Sequence, residues 1–476
     1  MLFFINEILR RFRSCFSRKA SYQWFVIIVV GLMIRCDHLG VTSVIRDLGL
    51  RPECYETMMH FFRSSAYTLD SIAYCWYKIV QEYAPAYREN GTAVLIGDGV
   101  KQSKEGRFMP AVKKLHQESE DSSKAEYIFG HMFGGIGVLV HKRSKWFCMP
   151  LRFTIQDGLH ETADWEGSPY SQESHVVQMI RHGYEAAFIS FGKSILTLDR
   201  YFLAVSSLRT LKELNGDTEL LQIVSKAKKN CIAYEKAPEY KGVGRPRLKG
   251  SSVKVGDLFD SERGKFQKAD VEIYGKVKTV EYYSRDLLWG KGLYMPLRFV
   301  LVRLDGVDSI FVSTDLSLSP LTIIRLYSYR SNIESCFRQF KQDLGGFCYH
   351  FWTKATPRLS HFQKKGTPSP LSLVQDVSEQ SRILATIRAT ETFVQLSVIA
   401  MGVVQMLSLK FSCVFPVHAF RYLRTPSKET VSEATLMDYL RRHFWRFSAF
   451  SPDLSIVQII RGQQGVSGFF RDPMAS

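Results

Sequence analysis

The sequence predicts an α/β protein with helical regions at both ends and a β-rich insertion. Three observations lead there. The short apolar runs TAVLIGDG (residues 92–99) and SILTLD (residues 194–199) have the length and turn-bounded character of buried strands. Residues 1–85 and 373–476 keep helical periodicity instead. Between them, residues 271–289 and 297–314 alternate or run apolar in strand fashion.

Length and charge narrow the class. A chain of 476 residues is long enough for roughly two to four domains with a large core. Hydrophobic residues at 45% and aromatics at 13% describe a folded chain and exclude a disordered one. The 63 Lys and Arg outweigh 46 Asp and Glu, and the resulting +17 is spread along the chain. A basic surface facing a polyanion is therefore expected, with nucleic acid favoured and no membrane partner. Nine cysteines with no CxxC pair argue against a disulfide framework or zinc ribbon, and for a reduced, cytoplasmic setting.

Residues 1–85 read as an N-terminal helical, DNA-binding region. Trp24 to Ile34, WFVIIVVGLMI, follows Arg10, Arg11, Arg13, Arg18 and Lys19 in the manner of a signal peptide. Arg35-Cys36-Asp37 stands where a small-residue cleavage site belongs, and eleven residues are too few to span a bilayer, so a buried helix is expected. A helix from Thr42 to Leu48, a turn at Gly49 and a second helix from Pro52 to about Arg63 outline either a helix-turn-helix or an ordinary αα-hairpin.

Residues 86–207 form the first part of a sheet-based core. Gly130–Val140 and Trp146–Ile155 suit further strands of the sheet that holds TAVLIGDG, and Ser174–Ser190 suits an amphipathic helix. Asp98 and Asp199 each stand at the end of a buried strand. Either alone reads most simply as a solvated turn residue; together they would lie side by side in one sheet.

Residues 208–318 combine a basic linker with the β-rich insertion. Lys226, Lys228 and Lys229 lead to YKGVGRPRLKG, where Arg245 and Arg247 flank Pro246. That segment reads as a minor-groove AT-hook or as a flexible basic linker, and both touch phosphates. Asp305-Gly306 marks a tight hairpin. Trp289, beside Gly290 and Gly292, is expected in a loop, either stacking on an unpaired base or packing into a core.

Residues 319–372 complete the core, and 373–476 form a C-terminal helical region, a candidate dimerisation module with helices over Val374–Leu409 and Thr430–Ser448. Lys354–Pro370, with Lys364-Lys365-Gly366, is a polar loop between the two. In Leu321–Gly346, the residues Tyr327, Arg330, Glu334 and Lys341 are spaced three, four and seven apart. On one helix those offsets fall within roughly 60° of each other. A solvated ion-paired face would look the same, but the two strand-end aspartates add company to Glu334. Three converging carboxylates repel unless cations stand between them, and a hard divalent ion with oxygen ligands answers that need. Arg330 and Lys341, on the same face, suit a phosphate-bearing substrate.

The spacing Tyr327-x₂-Arg330-x₃-Glu334-x₆-Lys341 resembles the YREK motif of IS4-type DDE transposases. Asp98 in IGDG and Asp199 in LTLDRYF match the family's other acidic positions, and KLHQESEDSSKAEYIFGH resembles a family block. The resemblance covers roughly residues 90–350. It implies a ribonuclease H-like mixed-sheet catalytic core interrupted by the β-rich insertion. It further implies that Asp98, Asp199 and Glu334 ligate Mg²⁺, or Mn²⁺ in its place, while Tyr327, Arg330 and Lys341 contact DNA near the cleaved end. The partners so implied are double-stranded DNA (the element's inverted repeats and the target) and a second copy in a synaptic homodimer, in a bacterial, nucleoid-associated setting. A base-stacking role for Trp289 also follows from the resemblance. The competing classes are a catalytically silent DNA-binding regulator and a ribonuclease H-like nuclease that cuts without joining.

Overall fold

The computed structural model describes residues 1–465 apart from 118–124, 144, 241, 243–244, 362–366 and 422–429. Part of the KLHQESEDSSKAEYIFGH block, Gly244 before Arg245, and Lys364-Lys365-Gly366 lie outside the described residues.

The N-terminal region folds into helices α1 (Leu2–Arg11), α2 (Lys19–Ile34), α3 (Val41–Asp47), α4 (Cys54–Phe62) and α5 (Leu69–Tyr83). A helix apolar on every side must be covered on every side. In α2, Phe25, Val26, Ile27, Ile28, Val29 and Val30 have no exposed surface, the buried helix expected for WFVIIVVGLMI. The expected second helix from Pro52 begins later, at Cys54.

The sheet is assembled from β1 (Arg88–Glu89), β2 (Thr92–Ser103), β3 (Lys113–His116), β4 (Tyr127–Lys142), β5 (Lys145–Ile155), β6 (Ser194–Thr197) and β7 (Leu221–Ala227), with α6 (His175–Ala186) before β6 and α7 (Val205–Asn215) after it. The insertion adds β8 (Ile232–Tyr234), β9 (Ser252–Lys254), a short α8 (Leu258–Ser261), β10 (Gln267–Ile273), β11 (Lys276–Trp289), β12 (Met295–Leu304) and β13 (Val307–Ser313). The C-terminal third is helical: α9 (Pro320–Ser328), α10 (Ser331–Gln342), α11 (Val377–Phe411), α12 (Glu433–Phe450) and α13 (Ser455–Arg461).

The protein is thus α/β, with one large mixed sheet and flanking helices. Its middle runs β5-β4-β2-β6-β7: β4 is antiparallel to β5 and β2, whereas β2, β6 and β7 are parallel. The insertion continues this sheet, because β13 pairs antiparallel with β7 from Ser313↔Val224 to Ile310↔Ala227. At the expected hairpin, Asp305 and Gly306 both take positive φ (+50° and +78°), the type I′ geometry whose twist matches that of paired strands. The apolar stretch 271–289 is a second hairpin, not a single strand. It turns at Tyr274-Gly275, also with positive φ, and a tyrosine at that position hides the turn from sequence inspection.

The helix α11 and the short turn after it, Val377–Val414, are long and apolar enough to cross a membrane, yet that apolar window is wholly buried inside the protein. Two of its buried polar residues reach across to β5: Gln395 and Gln405 donate to the carbonyls of Leu151 and Cys148 at 3.1 and 3.2 Å. Trp76 of α5 is fully buried, donates its indole N–H to the Pro150 carbonyl at 2.9 Å, and lies against Gly402 of α11. A Cβ on Gly402 would sit 2.1 Å from the Trp76 ring. Glycine-to-alanine in a helix gains about 1 kcal/mol of propensity, but overpacking a close-packed core costs about 1–3 kcal/mol. Gly402→Ala is therefore expected to lower stability by up to about 2 kcal/mol in urea denaturation. An equal or higher midpoint would show that Trp76 can move aside.

Candidate active site

Strand register explains how two aspartates about 100 residues apart meet. In the parallel pair β2–β6 the partners run from Ala93↔Ser194 to Ile96↔Thr197. Two residues beyond that last pair on each strand come Asp98 and Asp199. Strand β2 continues to Ser103 against β4, so Asp98 stands inside a strand at the point where its parallel neighbour leaves. Its cross-strand partner is Gly135. A Cβ there would come 2.8 Å from Phe153 and 2.9 Å from Phe337, so the bare backbone lets α10 settle onto the sheet beside Asp98.

The segment expected as one helix is two, α9 and α10, joined through Tyr329 and Arg330. The cause is local competition for carbonyls. Ser328 Oγ, Ser331 Oγ and Asn332 Nδ2 donate to the carbonyls three residues before them, at 2.7, 3.1 and 2.9 Å. The backbone tightens with them: the N–H groups of Arg330, Asn332 and Ile333 reach the carbonyls three residues back. Such bonds offer the backbone an alternative to the four-residue ladder. Arg330 lies at this joint, its side chain 16% exposed.

From the joint, Arg330 donates to both flanking carboxylates. Nη1 reaches Asp98 Oδ2 and Nη2 reaches Glu334 Oε1, each at 2.6 Å. Tyr327 donates its hydroxyl to Asp199 Oδ1 at 3.3 Å and lies beneath the guanidinium, 5.9 Å from ring centroid to Cζ. Asp98 also accepts the Gly99 N–H at 2.8 Å. The fold thus gathers Asp98, Asp199, Glu334, Tyr327 and Arg330 into one network. Glu334 is exposed and the two aspartates are half-buried. Lys341, a helical turn or two on, donates to the Lys101 carbonyl at 2.8 Å and so ties α10 to β2.

Electrostatics follow from that crowding. Burial pushes the Asp98 carboxyl up to about 6, against the pull of Arg330 and the Gly99 N–H, and the charges of Asp199 and Glu334 add to the rise. Burial alone would lower the Arg330 guanidinium, but Asp98, Tyr327, Glu334 and Asp199 outweigh it and hold it above its ordinary value. Burial also raises the Tyr327 phenol, which stays neutral and able to donate.

Two residues that spacing did not single out bear on the site, one from the far end of α10 and one from beside Asp199. Arg35, fully buried, donates through Nη2 to the Leu344 and Gly345 carbonyls, both at 2.7 Å, and through Nη1 to the Gly40 carbonyl at 3.0 Å. A cation there satisfies the carbonyls that follow the Glu334 helix, and burial lowers its pKa to about 10. Its only sequence signal was a charge ending an apolar run. Lys226 lies within strand β7, not in a linker; burial and then Arg200 lower its pKa, while Asp199 nearby raises it.

The other expected DNA-contacting residues belong elsewhere. Arg245 and Arg247 are exposed in the connection between β8 and β9. Trp289 is the last residue of β11 and half-buried, not free in a loop; its indole N–H donates to Cys231 Sγ at 3.2 Å. In α4 the exposed positions are Tyr55, Glu56, Thr57 and His60, with Arg51 and Arg63 just outside the helix.

Among the described residues no three His, Cys, Asp or Glu side chains stand together at metal-ligand spacing, and Arg330 pairs with both Asp98 and Glu334. The donor chemistry nonetheless fits a hard divalent cation. All three carboxylates offer oxygen only, and a protein cation already answers their repulsion. Comparison with family models, curated proteins and solved structures gives no match.

Because its folded value lies above that of an exposed aspartate, Asp98 favours the fold in acid. That contribution is lost as pH rises from the ordinary carboxylate range through about 6. Arg330→Met is expected to move the Asp98 titration above 6, read from its carboxyl carbon shift by NMR. A value that stays or falls would show that Arg330 does not balance this charge.

Proposed function

We propose that this chain is a DDE transposase of the IS4 type. It would bind the terminal inverted repeats of a DNA element, cleave the ends by metal-dependent phosphodiester hydrolysis and join them to target DNA. The observation that carries the reading is the convergence on Arg330, which pairs with Asp98 from β2 and with Glu334 from α10 while Tyr327 holds Asp199. Those are the motif residues, drawn together from distant parts of the chain. A ribonuclease H-like core is supported by the mixed order around β2, with antiparallel strands on one side and parallel strands on the other.

In this reading Asp98, Asp199 and Glu334 hold Mg²⁺, or Mn²⁺ in its place. Bound there, such an ion would acidify a water or 3′-hydroxyl and stabilise the leaving oxygen. The chain's own residues do the rest. Tyr327 orients Asp199 by its hydrogen bond. Arg330 keeps two carboxylates close in spite of their repulsion. Lys341 is anchored to β2, where it can offer its charge to a phosphate near the cut. The net +17 supports a polyanionic substrate, whose released counterions drive binding.

The test compares wild type with Glu334→Gln on labelled element-end DNA, with Mg²⁺ and a target plasmid. Wild type is expected to cleave and to join the label to the plasmid. The variant is expected to bind the ends and lose cleavage by more than about a hundredfold, the upper range for changes in outer-sphere partners alone. Cleavage without joined product would identify a nuclease. Binding without cleavage by wild type would identify a silent DNA-binding protein.

A further inference from the structure

Two half-buried thiols meet in the N-terminal region. Cys15 ends the 3₁₀ turn Phe12–Cys15 that follows α1, and this turn packs on α5, which carries Cys75. Each thiol reaches over the chain that holds the other. Cys15 Sγ lies 3.4 Å from the Ser71 carbonyl, one turn before Cys75, and Cys75 Sγ lies 3.6 Å from the Arg11 carbonyl, one turn before Cys15. A helical side chain leans toward the turn that precedes it. These reciprocal contacts therefore bring the two sulfurs face to face, and a hydrogen bond joins them.

The backbone is fixed on both sides of that contact. Ser17 N–H donates to the Ala66 carbonyl at 3.0 Å, and Arg11 pairs with Glu82 at 2.8 and 3.1 Å. A sulfur–sulfur bond here needs little backbone movement, the usual obstacle to bridging two cysteines. Access sets this pair apart. Cys148 and Cys336 also touch, but they are 1% and 2% exposed, beyond the reach of a soluble oxidant. Cys15 and Cys75 are each partly open to solvent.

The two thiols are also unequal. The hydrogen bond from Cys75 lowers the Cys15 pKa against the effect of burial, whereas that bond and burial both raise Cys75. Cys15 is thus the first to become a thiolate, the species that attacks a disulfide. Capping Cys15 removes its hydrogen bond and its charge. Burial of Cys75 is then opposed by Arg11 and Lys78, whose charges favour a second thiolate.

We propose that Cys15 and Cys75 are a site of reversible oxidation, which a low-molecular-weight disulfide closes to a protein disulfide that staples the turn after α1 to α5. The Cys15 thiolate attacks one sulfur of the oxidant and expels the other half as a thiolate. That thiolate takes the Cys75 proton. The Cys75 sulfur then attacks Cys15 and expels the second half, which is protonated from water in place of the proton Cys15 gave up. Two protein thiols are oxidised to one disulfide, and the oxidant is reduced to two thiols. The new bond closes a loop that holds α2, α3 and α4, and a closed loop restricts the unfolded chain, so the oxidised protein is the more stable form. The proposal does not depend on the transposase reading.

The experiment incubates the full chain with glutathione disulfide, digests it without reductant and maps the products by mass spectrometry. Wild type is expected to give a Cys15–Cys75 linked peptide that dithiothreitol removes, with Cys148 and Cys336 still free. Its thermal midpoint should rise by a few degrees over the reduced protein. Cys75→Ser, which lacks the second thiol, should instead retain one glutathione on Cys15. Cys15→Ser should form no bridge. The wild-type map and midpoint decide the matter even if either variant fails to fold. Glutathione left on wild-type Cys15 with no bridge, or a bridge between other cysteines, would overturn the proposal. So would an unchanged or lower midpoint in the bridged protein, since the bond would then distort the fold instead of stapling it.

Discussion

Arg330 donates from one guanidinium nitrogen to Asp98 and from the other to Glu334, and the arrangement of the centre depends on that pair of bonds. Without it, carboxylates from two elements would be crowded together, one of them in a half-buried strand. Removing one partner of a buried ion pair costs about 3–5 kcal/mol, because the remaining charge is left desolvated. The carboxylates are therefore tolerable together only while a cation stands among them. In the structure that cation is the arginine; in the proposed reaction it is shared with a divalent ion and a phosphate.

The rest of the fold sets the geometry of that centre. Parallel pairing of β2 with β6 brings Asp98 and Asp199 to the same level of the sheet. Gly135 lets α10 come down onto β4, and Arg35 closes the far end of the same helix from the N-terminal region. The buried helices α2 and α11 form the apolar mass behind β5, with α12 packed on both. Insertion strands extend the sheet from β7, so the position of α9 is coupled to both halves of the sheet.

Much of this was legible in the sequence, and the physics says which parts. The two buried apolar strands, the Asp305-Gly306 turn and the apolar helix at Trp24–Ile34 are local signals, each set by a few neighbouring residues. The expectation that the first strand ends at Asp98 failed, because pairing with β4 carries β2 on to Ser103. The three carboxylates could be linked in advance because the spacing from Tyr327 to Lys341 resembles a known motif. What escaped depends on competition or on distance. The joint at Tyr329-Arg330 arises from serine and asparagine side chains taking carbonyls that a continuous helix would use. Arg35 meets its acceptors more than 300 residues away, beyond any periodicity argument. Tyr274 takes a positive φ that its residue type conceals. Trp289 was expected in a loop because of its glycines, yet it ends a strand and points its N–H at Cys231.

The central claim is that Asp98, Asp199 and Glu334 form one cation site once charge among them is rebalanced. Electron paramagnetic resonance of Mn²⁺ titrated into the full chain tests it most directly, with wild type compared with Asp98→Asn, Asp199→Asn and Glu334→Gln. The account predicts saturable Mn²⁺ binding by wild type that is displaced by Mg²⁺ and weakened at least about tenfold by each substitution. Binding that none of the three changes alters would contradict it, leaving the carboxylates as partners of Arg330 alone.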